Sequence, residues 1–164
     1  MLQTAATWTS DDSDYNLQRV IASEANDLYS EDGNFELHLP PDSVSVDGYA
    51  TVLPTGYVPG PLPSGKQVIG SAYEVRLSGA VAELVKDSLV RLHYHPEVMG
   101  IYTDTLICYL DTGAQGWQSM GGEPNEVDYG LAITTNRLGI YALMGQAVIT
   151  GPPIERVYLP LIVR

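Results

Sequence analysis

The chain of 164 residues is long enough for one domain with a sizeable core and short for two. Its 20 acidic and 8 basic residues leave a net charge of −12, a field that repels polyanions and argues against nucleic acid as a partner. Hydrophobic residues make up 45% of it without any run of about 18 consecutive apolar residues, so no membrane-inserting helix is expected, and 11 Tyr, 16 Gly and 11 Pro favour pleated strands and turns.

The opening Met1-Leu2-Gln3-Thr4-Ala5-Ala6 carries neither the basic nor the apolar run of an export signal, so an exported protein is expected here only as a mature or excised segment. Residues 1–29 form an acidic N-terminal segment in which Asp11, Asp12, Asp14, Glu24 and Asp27 face Arg19 as the sole basic residue. Within it Leu17, Val20, Ile21 and Leu28 recur near helical spacing behind Ser13 and Asp14, which predicts a short helix over 14–29.

From residue 30 to 148 the pattern changes to short alternating runs broken by Gly, Pro, Asn and Asp, the signature of strands and turns. Phe35, Leu37 and Leu39 share one face of a strand and Glu36 and His38 the other, until Pro40-Pro41 ends it. Seven Pro and Gly residues between 49 and 66 predict a long loop around one short strand at 49–53.

Tyr73, Val75 and Leu77 then alternate with Glu74 and Arg76, and Val90, Leu92 and Tyr94 oppose Leu89, Arg91, His93 and His95. A strand over 105–111 is expected to point Leu106, Cys108 and Leu110 inward and to turn at Asp111-Thr112-Gly113 into a hairpin towards Trp117. Further on, Val127, Tyr129, Leu131 and Ile133 alternate with polar residues, and Asn136 to Gly139 leads into Ile140-Tyr141-Ala142-Leu143-Met144. About seven strands at this spacing predict an all-β, two-sheet antiparallel sandwich, because a single open sheet leaves an apolar face wet.

After Gly151-Pro152-Pro153, residues 149–164 read as a strand-like tail ending Val157-Tyr158-Leu159-Pro160-Leu161-Ile162-Val163-Arg164, with Pro160 confining it to an edge. Unpaired edges pair with other chains, so Val157, Tyr158, Leu159, Leu161, Ile162 and Val163 are the candidate contact for a second copy or a neighbouring domain.

The order Ser30-Glu31-Asp32-Gly33-Asn34-Phe35-Glu36-Leu37-His38-Leu39-Pro40-Pro41, then Ala72 to Leu77, Leu89 to Tyr94, Leu106 to Leu110, Gly116-Trp117, Val127-Asp128 and Leu138 to Met144, resembles the ZU5-like and Ig-like sandwich modules of bacterial secreted and cell-surface proteins. The resemblance covers residues 30–145 and implies a structural or interaction role; the closing Tyr158 to Arg164 resembles the terminal segment of exported proteins of Chloroflexi-type bacteria, which implies a secreted or cell-surface location, where the unpaired edges and apolar tail are expected to build a filament or surface assembly.

Chemistry is weighed against that reading. Asp111-Thr112-Gly113-Ala114 resembles the active-site strand end of retropepsin-type aspartic proteases, where two carboxylates share a proton, yet it is also an ordinary turn and runs into Gln115-Gly116-Trp117. His93 and His95 lie about 7 Å apart on one strand face, a metal-ligand spacing for which His38 and Asp104 are further candidates, against the commoner outcome of solvated histidines. Asp11, Asp12 and Asp14, or Glu31 with Asp32 before Gly33, offer oxygen ligands for calcium without the spacing of a calcium loop, and solvated acids explain the run equally well. Cys108 reads as a buried, inert thiol.

Among Trp8, Tyr49, Tyr57, Tyr102 and Trp117, Tyr102 and Trp117 are the candidate aromatics of a glycan platform, the runner-up function. The expectation is therefore a non-enzymatic structural or interaction module that self-associates or meets neighbouring domains, with no catalytic, metal or cofactor residues assigned and a carbohydrate-binding module as the alternative.

Overall fold

Alternation of apolar and polar side chains is satisfied only by extended chain packed on one face, and eleven strands realise it among the described residues of this computed structural model, which are 17–56, 58–78, 83–110, 116–125 and 127–148. In chain order they are β1 (Leu17–Val20), β2 (Asn26–Tyr29), β3 (Phe35–Leu39), β4 (Gly48–Thr55), β5 (Gln67–Leu77), β6 (Glu83–His93), β7 (Tyr102–Leu110), β8 (Gln118–Gly121), β9 (Glu123–Asn125), β10 (Gly130–Arg137) and β11 (Ile140–Ala147). A six-stranded sheet has the order β1-β4-β5-β11-β7-β8 and a five-stranded sheet the order β2-β3-β6-β10-β9, with antiparallel pairing throughout. The expected all-β sandwich is the fold.

The main core lies between the sheets. Phe35, Leu37 and Leu39 of β3, Val90 and Leu92 of β6 and Leu131 and Ile133 of β10 meet Val52 of β4, Tyr73 and Val75 of β5 and Tyr141 and Leu143 of β11. At its centre the Phe35 ring sits 5.4 Å from Tyr73 and 5.9 Å from Tyr141, and Tyr141 lies 5.2 Å from Tyr109. The polar tips are satisfied, Tyr109 donating to the Leu138 carbonyl at 3.1 Å and Tyr141 to that of Arg137.

The two lateral edges are closed by the same device. The chain passes from β1 in one sheet to β2 in the other, and from β8 to β9 likewise. At the first crossing the Asn26 side chain accepts from the Ile21 amide and donates to the Ile21 and Glu24 carbonyls. At the second, Gly121 (φ 78°) and Gly122 (φ 139°) take backbone that other residues avoid, and a Cβ on Gly122 would stand 2.9 Å from Leu131.

This corrects the helix expected over 14–29. Val20 and Leu28 are buried on two separate strands while Leu17 is 56% exposed, so the helical stripe is not used, and the Asn26 turn splits the segment. Within the acidic segment set apart at 1–29, Leu17–Val20 and Asn26–Tyr29 are thus strands of the two sheets.

A second correction concerns β7. Ile107 and Tyr109 face the inter-sheet core, and Cys108 and Leu110 face the opposite side with Leu106. The run is apolar at both parities, so alternation cannot choose; pairing with β11, Tyr141 opposite Tyr109 and Ala142 opposite Cys108, sets the face. A strand beginning near Val127 is also displaced: residues 127–129 form a turn, Val127 is 85% exposed, and the buried alternation starts at Gly130.

The outer face of the six-stranded sheet is therefore apolar too around β11 and β7. Ala72, Cys108, Leu110, Ile140, Ala142 and Met144 are buried there beneath Val58, Val68 and Trp117. The Trp117 indole donates to the Pro59 carbonyl at 2.9 Å, latching the Pro/Gly loop across the sheet, and Lys66 donates to the Asp104 carbonyl.

Replacing Phe35 with Ala removes the ring shared by both sheets, and a loss of about 3–5 kcal/mol is expected in a denaturant titration, against under about 1.5 kcal/mol for an exposed site such as Val46.

Candidate functional site

With Phe35, Leu37 and Leu39 turned inward, parity sends Glu36 and His38 to the outer face of the five-stranded sheet. Register then sets their neighbours. Asp27 of β2 lies opposite His38, Arg91 of β6 lies opposite Glu36, and His93 sits on the diagonal. His38 Nδ1 is 2.6 Å from Asp27 Oδ1 and its Nε2 is 3.1 Å from Glu36 Oε2. Arg91 Nη1 reaches Glu36 Oε2 at 3.3 Å, and His93 Nε2 reaches Glu36 Oε1 at 3.0 Å. His93 Nδ1 lies 3.2 Å from the Asp128 carbonyl oxygen.

Carboxylate and carbonyl oxygens only accept, so these four imidazole contacts are hydrogen bonds together only when both rings carry two protons. Glu36 is the hub. Burial by itself raises its carboxyl, but hydrogen bonds from His38 and His93 and the positive charges of His93 and Arg91 outweigh it and hold the group below the ordinary carboxylate range.

A second polar unit ties the sheets to each other. In the β2–β3 turn, Ser30 Oγ donates to Asp32 Oδ1 at 2.6 Å, the Asn34 amide donates to the same oxygen at 3.1 Å, and Tyr73 of β5 donates its hydroxyl to Asp32 Oδ2 at 2.7 Å. Burial works against the Asp32 charge, yet these donors win and its carboxyl is held low. The Tyr73 hydroxyl is pushed far upward, by burial first and then by Asp32.

Between the two units a cavity of about 200 Å³ opens at one end of the sandwich, lined among others by Asn34, Ser71, Tyr73, His93 and His95 over a floor of Ile69, Leu92 and Leu143. Its cause is a bulge in β5. The partners of Ala142 and Met144 are Ala72 and Val68, so β5 spends two extra residues opposite Leu143, with Gly70 at φ 73°.

The residues singled out from sequence fall as follows. His93 and His38 share Glu36, whereas His95 is exposed beyond the end of β6 at the cavity rim, and Asp104 is on β7 in the other sheet. Among the described residues no group of three or more His, Cys, Asp or Glu side chains is arranged to hold a metal ion. Trp117 joins the outer cluster of the six-stranded sheet and Tyr102 the inter-sheet core, so the two are not brought into one platform.

Cys108 is fully buried and its thiol is pushed up to about 11, mainly by that burial. Asp111 to Ala114, Trp8, Tyr57, Asp11, Asp12, Asp14 and the tail Val157, Tyr158, Leu159, Leu161, Ile162 and Val163 lie outside the described residues. Asp32, a candidate calcium ligand by sequence, is instead held by Ser30, Asn34 and Tyr73; sequence reasoning missed Glu36, Arg91 and Tyr73, and the available signal was the outward Glu36-x-His38 against Arg91-x-His93, opposite charges at matching parity. The chain matches no known protein family and no curated protein.

A carboxyl held low in the folded state stabilises it above the unfolded value and loses that contribution as pH falls through the folded value. Glu36→Gln is expected to cost roughly 1.5–3 kcal/mol near pH 6. Below about pH 4 the difference from wild type should shrink as the native carboxyl protonates. Urea titrations of both proteins at several pH values measure this, and a gap that widens on acidification contradicts the hub.

Proposed function

We propose that this chain is a non-enzymatic structural or interaction module of a secreted or cell-surface protein, meeting a second copy or a neighbouring domain through the apolar segment of residues 157–163. The observation that supports it most is how the polar side chains of the site are used. Glu36 joins β3 to β6 directly and, through His38, to Asp27 on β2, and Asp32 joins the five-stranded sheet to Tyr73 of the six-stranded one. Such ties lie across strands and sheets, the directions in which a sandwich comes apart.

The edges support the same reading. The outermost strands β1, β2, β8 and β9 have three or four residues each, which blunts them as templates for pairing. Contact with another chain then falls to a longer apolar segment, and Val157 to Val163 has that composition, with Tyr158 as its one residue bearing a polar side-chain atom. Secretion and surface assembly rest on the resemblance of the tail and of the strand order described above.

Light scattering and small-angle X-ray scattering on the full chain and on a version lacking residues 151–164 test this. The full chain is expected to form particles larger than a monomer, and the shortened chain to stay a folded monomer with an unchanged strand-type circular dichroism spectrum. Equal particle sizes for the two proteins would defeat assembly through the tail.

A further inference from the structure

The end cavity is not used by the module reading, and its construction points to a ligand. β5 bulges away at Gly70 where it faces Leu143, which leaves Ile69, Leu92 and Leu143 as an apolar floor at the mouth of the core. Bulges of this kind occur beside binding sites, where they turn side chains out of the sheet pattern. The volume of about 200 Å³ falls below the roughly 300–1,000 Å³ of pockets that take drug-sized molecules, so the cavity suits one ring and not an extended chain.

Charge narrows the class. Neither carboxylate bonded to the lining residues Tyr73 and His93 is available to a ligand as a bare charge: Asp32 accepts from Ser30, Tyr73 and the Asn34 backbone amide, and Glu36 is held by His38, His93 and Arg91. The His93 Nε2 is engaged by Glu36 in turn. Around the mouth, the Asn34 side chain and the Ser71 hydroxyl, which also bond Asp32 and Tyr73, keep further donor or acceptor positions, and the exposed His95 imidazole adds its own. An apolar base under a rim of mixed donors and acceptors, with no unengaged carboxylate in its lining, is complementary to a neutral ring with a C–H face and several hydroxyls.

We infer that the cavity at the Gly70 bulge binds a single neutral pyranose ring, its C–H face on Ile69, Leu92 and Leu143 and its hydroxyls towards Asn34, Ser71 and His95. This is independent of assembly through the tail, and it places sugar recognition away from Trp117 and Tyr102. One ring of that size, with few polar contacts, is expected to bind with a dissociation constant of roughly 1 mM.

Saturation-transfer difference NMR on the full chain, with the methyl glycosides of glucose, galactose, mannose and N-acetylglucosamine each at about 10 mM, tests the proposal. At least one is expected to receive saturation. Ser71→Phe, which fills the mouth, is expected to weaken it at least about tenfold without lowering the melting temperature, a loss of about 1.4 kcal/mol. His95→Ala, at an exposed position, provides the second reading with an expected loss of about threefold, and decides the matter if Ser71→Phe does not fold. No transfer to any glycoside, or unchanged affinity in a folded Ser71→Phe or in His95→Ala, overturns the proposal. A trisaccharide ending in the bound ring separates its sources: binding marks the end of a glycan, and binding of the monosaccharide alone marks the free sugar.

Discussion

A strand that is apolar on both faces has to be covered on both faces, and β11 imposes that condition on this molecule. Ile140, Tyr141, Ala142, Leu143 and Met144 are all buried, with Tyr141 and Leu143 in the inter-sheet core and Ile140, Ala142 and Met144 on the other side of the sheet. β7 flanks it and shares the condition from Leu106 to Leu110. The five-stranded sheet answers on one side. On the other, the Pro/Gly loop and Trp117 answer, held by the indole bond to Pro59. A segment that composition marks only as a loop is thus part of the second core layer, and its prolines suit it by lowering the entropy lost on fixing it there.

The polar groups follow from where the apolar ones go. Turning Phe35, Leu37 and Leu39 into the core leaves Glu36 and His38 on the outer face, where their register neighbours are Arg91 and Asp27. Several charges around one half-buried carboxylate form a network, which contributes more than isolated surface pairs do. The Asp32 to Tyr73 bond then fixes the end of the sandwich at which the β5 bulge opens the cavity. Stability, tie points and cavity are consequences of one assignment of faces, and the module reading and the ligand inference draw on different parts of it.

How far that assignment was legible in the sequence depended on whether one parity was polar. In β3 the alternation of Phe35, Leu37 and Leu39 with Glu36 and His38 left one choice, and the structure has it. The same holds for Tyr73 and Val75 against Glu74 and Arg76, and for Val90 and Leu92 against Arg91 and His93. In β7 both parities are apolar, and only pairing with β11, a contact distant in sequence, sets the face. At residues 17–29 helical spacing of four apolar residues competed with a side-chain turn at Asn26, and the turn won because it delivers Val20 and Leu28 to two different sheets. Of the site, the histidines were visible as residue types, but the partner that unites them, Glu36, appears only when β3 is laid beside β6 in register. The bulge at Gly70 leaves no mark in composition beyond a glycine in a strand.

The central claim is that the middle of the six-stranded sheet is covered on its outer face as well as its inner one, and Cys108 lies in that outer layer with no exposed surface. The rate of its alkylation in the native full chain, compared with the rate in denaturant, measures the cover directly. The account predicts a thiol that stays unmodified in native buffer and reacts only as the protein unfolds, with a Trp117→Phe protein reacting faster than wild type. Native labelling at the rate of the unfolded chain would contradict it.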